Sequence, residues 1–327
     1  MPEPAFCNYH VGPEQAGLAL IAALRQLRPG ESWSQVRRLI HNRHVQINGN
    51  LSTDDGRKLK AGDVVKVWSE PRAAPARTED VRIRYLDAHL VVVEKPAGVT
   101  TLRHSEERDW SPRRRQLQPT LDEMLRQALA RKGLRPGREP GQRGKPLDLR
   151  AVHRLDRDTS GLIVFARTAA TERRLTQMFR EHDLHRLYQA IVLGRIEQQT
   201  VESSLVRDRG DGLRGSARLP DVGRRAVTHV RPLEHFDGYT LVECRLETGR
   251  THQIRIHLAE AGHVVCGEKV YHRPLHGKPV EDPSGAERQM LHAAELGFTH
   301  PITGQELKFE MPLPADMARL LARLRSH

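Results

Sequence analysis

The chain has 327 residues, enough for two domains at roughly 100–200 residues each. It is 38 % hydrophobic, an ordinary share that excludes global disorder. Lys plus Arg number 53 against 41 Asp plus Glu, a net charge of +12, and this excess favours a polyanionic partner because each neutralised phosphate releases counterions.

Apolar spacing predicts a first helix over 15–27, with Leu18, Leu20, Ile21, Leu24 and Leu27 as its stripe and Pro29-Gly30 as its breaker. A second helix is predicted over 33–42. Val36, Leu39 and Ile40 face a core there, while Arg37, Arg38 and His41 point elsewhere. Val45-Gln46-Ile47 alternates like a strand, Asn48-Gly49 signals a hairpin turn, and Gly62-Asp63 precedes a strand at Val64-Val65-Lys66-Val67. Residues 73–80 are Pro/Ala-rich and polar and read as a linker. Leu90-Val91-Val92-Val93 then reads as a buried strand ended by Lys95-Pro96-Ala97-Gly98. Residues 103–146 are rich in Arg, Gly and Pro, with a short helix expected over 121–129 and a basic, mobile loop around it. That charge run fits a solvated surface as well as an RNA contact.

Two short helices, then a small hairpin sheet, with Ser34-Gln35-Val36-Arg37-Arg38-Leu39-Ile40, Val45-Gln46-Ile47-Asn48-Gly49 and Gly62-Asp63, resemble the alpha-L RNA-binding module of the ribosomal small-subunit protein S-four type. The first helix lacks the Arg-Leu-Asp usual in that module. The resemblance implies an RNA-binding domain over 1–72, a linker over 73–80 and a larger domain over 81–327.

Within the larger domain, His153-Arg154-Leu155-Asp156-Arg157-Asp158-Thr159-Ser160-Gly161 precedes a buried strand, Leu162-Ile163-Val164-Phe165-Ala166. A polar loop ending in Gly before such a strand can hold an acid in a cleft. Alone, it fits a turn or cap at Asp158 and a structural ion pair at Asp156 equally well. Further on, Ile254, Ile256 and Leu258 alternate with Gln253, Arg255 and His257, which predicts a strand sending a polar face into the cleft.

The loop resembles the signature segment of pseudouridine synthases of the RluA type. Four more stretches match that family in order: Val93-Glu94-Lys95-Pro96-Ala97-Gly98, Tyr188 through Gly194, Thr248 through His257, and Leu291-His292-Ala293 continuing to His300-Pro301. The resemblance implies an α+β fold whose mixed, largely antiparallel sheet is split around a central cleft. It also implies an enzyme that isomerises uridines in structured RNA. Asp156 matches the aspartate on which the family depends, Arg255 its active-site arginine, and Tyr188 a tyrosine that packs on the target base. Arg154 matches the residue that fills the space of a flipped uridine, since flipping costs a few kcal/mol. Arg186 stands where the family usually has Lys, and Arg37, Arg38, Arg186 and Arg250 are the further expected RNA contacts. Asp156 would act either as a nucleophile or as a base at the ribose, and both stay open. His153 is expected to be structural. One departure is Gly267-Glu268, where the family usually reads Gly-Asp, and Glu268 is given no catalytic role.

No cofactor is expected, since isomerisation has no redox or energy requirement and no Gly-rich phosphate loop appears. No metal is expected either, because His252, His257, His263 and His272 lack zinc spacing. Cys7, Cys244 and Cys266 are too scattered for a disulfide framework, which suits a reducing cytoplasm. Met1-Pro2-Glu3-Pro4-Ala5 lacks a signal-peptide pattern, and no stretch reaches the roughly 20 apolar residues of a membrane span. The expected protein is a soluble, cytoplasmic monomer whose partner is large-subunit ribosomal RNA. Transfer RNA is the alternative substrate. The competing classes are a non-catalytic RNA-binding or ribosome-assembly factor, and a metal-dependent hydrolase using Asp156 and Asp158.

Overall fold

The computed structural model describes residues 6–48, 50–69, 71, 76–103, 107, 110, 115, 118–133, 149–219, 222–273 and 277–326. They belong to two compact units, Met1–Pro75 with Glu106–Pro119, and Ala76–Ser105 with Thr120–His327. Gly49, residues 73–75 and most of 103–120 and 132–148 carry expected turn, linker or loop features that lie outside the described residues.

In the first unit, β1 (Phe6–His10), β4 (Val64–Trp68), β2 (Val45–Ile47) and β3 (Asn50–Leu51) form an antiparallel sheet in that order. Helices α1 (Leu20–Leu27) and α2 (Trp33–His41) bury Leu20, Ala23, Leu24, Val36 and Ile40 against Val45, Ile47, Val65 and Val67. The first helix starts five residues later than its stripe suggests. Gly17 has φ 81° and donates its N–H to the Leu59 carbonyl at 2.8 Å, so residues 13–18 turn instead of winding. A capping box starts α2: Ser32 Oγ accepts the Gln35 N–H at 3.2 Å, and Gln35 Oε1 accepts the Ser32 N–H at 2.6 Å.

The second unit is built on one eleven-stranded sheet. Its central path runs β11 (Gly215–Ser216), β10 (Gln199–Val206), β12 (Arg224–Phe236), β13 (Tyr239–Leu246), β9 (His185–Leu193), β14 (Leu291–Thr299), β8 (Ser160–Ala166), β6 (Leu90–Lys95), β5 (Arg82–Leu86). Two more strands, β7 (Arg150–Ala151) and β15 (Glu306–Glu310), pair with β8 and β14. Every pairing among the described strands is antiparallel except β8–β14. That parallel junction has only two residue pairs, His292 with Ser160 and Ala293 with Gly161. The sheet is therefore continuous, yet its two halves meet at a narrow waist. Gly161 makes the waist possible: its φ is 126°, and a Cβ there would lie 2.3 Å from the Ala293 carbonyl oxygen.

Strands β6 and β8 are covered on both faces, which explains their unbroken apolar runs. Val91, Val93, Ile163 and Phe165 pack with Leu121, Met124, Leu125 and Leu129 of α3 (Leu121–Arg131). Leu90, Val92, Leu162 and Val164 pack on the other side with Leu175 of α4 (Ala169–Glu181). Among the described residues the unit also has the helices α5 (Gln253–Glu260) and α6 (Ala315–Arg325) and a short 3-10 turn at Thr78–Asp80.

Candidate active site

The loop between β7 and β8 that carries Asp156 is held from several sides. Thr101 Oγ1 donates to the Leu155 carbonyl at 2.9 Å and accepts the Leu155 N–H at 3.2 Å. The ammonium of Lys95, fully buried, donates to the carbonyls of Pro96 and Arg157 at 3.0 and 2.9 Å. Arg288 donates to the Asp158 carbonyl at 2.9 Å while Asp316 at the start of α6 grips its Nε and Nη2 at 2.6 and 2.9 Å. Gln289 donates to Thr159 Oγ1 at 2.8 Å. Burial pushes the Lys95 ammonium down to about 7, opposed by Asp158 and Asp156.

Asp156 Oδ2 accepts from Arg255 Nη1 at 3.0 Å. The rest of that guanidinium belongs to Glu268, which accepts from Nε at 2.7 Å and Nη2 at 2.6 Å. Glu268 Oε1 also accepts the backbone N–H groups of Lys269, Val270 and Tyr271. Burial works against the charge on Arg255, but Glu268 and Asp156 more than offset it and raise its pKa. Burial likewise opposes the Glu268 carboxylate, yet Arg255 and the backbone donors hold it below the ordinary carboxylate range. Glu268 thus positions Arg255, which in turn holds Asp156.

The expected strand at 253–258 is instead helix α5, and this corrects the sequence reading. All six residues are buried, so no solvent face is left to betray the helical period. Ile254 and Leu258 enter the main core while Ile256 packs with Leu205, Ala226 and Tyr271. Each polar residue between them has its own partners. Gln253 accepts from the Arg250 N–H and Thr248 Oγ1 at 3.0 and 2.7 Å and donates to the Val227 carbonyl at 2.9 Å. His257 sits between Thr228 Oγ1 and Ser203 Oγ at 2.9 and 3.1 Å.

Asp156 and Arg255 line a pocket of about 490 Å³ with Arg154, Arg180, His182, Arg186, Tyr188, Arg250 and His252. Among the described residues Asp156 is the one carboxylate in the lining. Tyr188 is 8 % exposed, and burial raises its phenol above the usual range. Arg186 lies 5.4 Å over the Phe179 ring, which stacks on His153 at 4.4 Å. Its Nε and Nη2 are buried with no hydrogen-bond partner among the described residues, and burial lowers its pKa. His153 Nε2 accepts the Val164 N–H at 3.1 Å, and burial with Arg186 nearby pushes its pKa down to about 3. The imidazole is neutral, as that acceptor role requires. Arg154 is exposed at the rim.

The residues brought together are therefore Asp156, Arg255, Tyr188, Arg154, Arg186 and Arg250. Arg37 and Arg38 lie in the other unit, exposed on α2, with Arg37 Nε donating to Asp55 at 3.3 Å. Sequence reasoning missed His252, Tyr271 and the clamp formed by Lys95 and Arg288. His252 stood within a quoted motif, but nothing in its spacing indicated where the ring would point. Among the described residues no group of three or more His, Cys, Asp or Glu could hold a metal, and no helix is long and apolar enough to cross a membrane.

Comparison with known proteins identifies the family. A family model described as RNA pseudouridylate synthase matches residues 89–260, and one described as S4 domain matches residues 20–65. The chain is 34 % identical over 326 residues to ribosomal large subunit pseudouridine synthase D of Nitrosomonas europaea, covering 95 % of this chain and 86 % of that one. It is 35 % identical to the protein of the same name from Zymomonas mobilis, covering 95 % of each. Among solved structures, human RNA pseudouridylate synthase domain containing 4 superimposes with a TM-score of 0.56 at 22 % identity, over 74 % of this chain and 92 % of that one. That last likeness concerns the fold. The matched family spans more than half of the chain and both halves of the site, and the chain belongs to the RNA pseudouridylate synthases, with an S4 domain ahead of the catalytic fold.

Proposed function

We propose that this pseudouridine synthase acts on specific uridines of large-subunit ribosomal RNA, as a cytoplasmic monomer, with Asp156 as its reacting carboxylate. One observation carries the reading. Among the described residues Asp156 is the sole acid in a pocket that also presents five arginines and the ring of Tyr188, and a hydrogen bond from Arg255 holds its Oδ2. A cationic rim suits RNA phosphates, and a phenol ring suits the face of an extruded uracil.

The reaction breaks the N1–C1′ bond and forms C5–C1′. The C5 proton is lost to solvent and N1 gains one, so nothing is oxidised. Arg255 pairs with Oδ2 of Asp156, which leaves Oδ1 to attack as a nucleophile or to take a ribose proton. Tyr188 packs against the base, and Arg154 enters the stack the uridine leaves. Arg186 and Arg250 receive phosphates near the pocket, while Arg37 and Arg38 of the S4 domain grip RNA elsewhere. The curated relatives named above act, by their names, on the large ribosomal subunit, which supports ribosomal over transfer RNA. Three free cysteines, two of them buried, suit a reducing compartment.

Pseudouridine mapping in cells with and without the gene tests the substrate. At least one position in large-subunit ribosomal RNA should lose its modification and regain it with wild-type protein but not with Asp156→Ala. Loss confined to transfer RNA would overturn the assignment.

A further inference from the structure

His252 caps the start of α5 in the left-handed region, with φ 60° and ψ 18°. A non-glycine residue adopts that conformation at a cost, and such residues cluster where function fixes a side chain. His252 makes no capping hydrogen bond; Gln253 supplies one to the Arg250 N–H instead. The imidazole is turned to other partners.

Its Nδ1 lies 2.7 Å from the hydroxyl of Tyr271, which is 3 % exposed and sits under the Arg255 guanidinium at 5.1 Å. Burial pushes that phenol up to about 12, so it keeps its proton, and in one of the two neutral tautomers of His252 the phenol O–H donates to Nδ1. The ring's own proton then resides on Nε2, which faces Asp156 Oδ1 at 3.7 Å. Oδ1 is the oxygen that Arg255 leaves free. A separation of 3.7 Å exceeds a hydrogen bond, so the contact is a long one between facing groups.

We propose that His252, oriented by Tyr271, is a positioning residue that presents Nε2–H to the reacting oxygen of Asp156. The proposal rests on the reading that Asp156 reacts. A neutral N–H donor fixes the edge of the carboxylate without neutralising it, whereas an imidazolium would lock Oδ1 in an ion pair. The surroundings keep the ring neutral. Burial opposes its protonation most, Arg255 and Arg214 oppose it, Asp156 and Glu268 favour it, and the balance lies below the ordinary imidazole pKa. Acidification through that pKa charges the ring and takes Oδ1 out of reaction.

The test is single-turnover release of tritium from C5 of uracil by full-length His252→Gly, His252→Gln, Tyr271→Phe and Asp156→Ala, across pH and with RNA affinity measured in parallel. Gly accepts φ 60° freely, so His252→Gly should fold. It should lose roughly 10- to 100-fold in kcat, as groups that orient a reacting ligand do, with KM and RNA Kd unchanged. Gln, whose amide reaches as far as Nε2, should recover most of that. The acid limb of the wild-type profile should disappear in His252→Gly and move to higher pH in Tyr271→Phe, where Nδ1 loses its donor. Wild-type kcat and acid limb in His252→Gly, with Asp156→Ala inactive, would overturn the proposal. A raised KM with unchanged kcat would also overturn it, by making His252 an RNA contact. Activity in Asp156→Ala would instead overturn the reading of the site itself.

Discussion

Glu268 holds Arg255 by two hydrogen bonds, at 2.7 and 2.6 Å, and so leaves a single guanidinium nitrogen for Asp156. Glu268→Ala removes these two bonds from a buried guanidinium and leaves it the one to Asp156, and breaking a buried pair costs about 3–5 kcal/mol. Glu268→Asp keeps the charge with a shorter reach and should lose less stability than the alanine variant, while lowering kcat by loosening Arg255. Urea unfolding and single-turnover kinetics measure the two effects separately. Equal stability of wild type and Glu268→Ala would remove the positioning role.

The same pair sets an acid limit on stability. The folded Glu268 carboxyl has a pKa below 4.5, its unfolded value, so it stays charged in the fold where the unfolded chain has begun to protonate. Its contribution is full above about pH 4.5 and is lost as the pH falls through the folded value. Acid unfolding of Glu268→Gln should therefore show a shallower pH dependence than that of the wild type.

Lys95 acts with the same sign in a higher window. Its folded pKa of about 7 lies below the unfolded 10.5, so between those values the unfolded chain binds a proton that the fold does not. Stability conferred by this residue rises with pH across that window, by up to about 1.4 kcal/mol per unit. Wild type should gain on Lys95→Met between pH 7 and pH 9 in urea unfolding. A constant difference would place the Lys95 pKa outside the window.

Arg186 should trade stability for binding. Its buried Nε and Nη2 have no hydrogen-bond partner among the described residues, so Arg186→Met removes a desolvated charge and should leave the fold as stable or more so. RNA affinity should fall, and the slope of log K against log salt should shrink by about 1, the mark of one lost phosphate contact. An unchanged slope would exclude phosphate as its partner.

The waist of the sheet sets a steric limit. Gly161→Ala would place a methyl 2.3 Å from the Ala293 carbonyl oxygen at φ 126°. Overpacking and backbone strain together should cost about 2–4 kcal/mol in urea unfolding. Because Asp156 lies on the loop leading into β8, turnover should fall as well.

Much of this was legible because the informative signals are local. The runs at 90–93 and 162–166 announced buried strands, and the Asp156 loop carried its own motif. Helix α5 was misread because it is buried on every side, so period-two alternation of Ile254, Ile256 and Leu258 outlined no exposed face. The Asp156–Arg255 contact spans 99 positions, and only family resemblance suggested it. The parts that stayed hidden are those made by tertiary packing. Tyr271 meets His252, and Lys95 and Arg288 reach carbonyls of the loop, through contacts that carry no periodic or spacing signal.

The central claim is that Asp156 is the reacting carboxylate, and the most direct test is release of tritium from C5 of uracil in a ribosomal RNA substrate. Wild-type protein should release the label in a single turnover. Asp156→Ala should bind the same RNA with comparable affinity and release none, whereas equal release by both proteins would contradict the account.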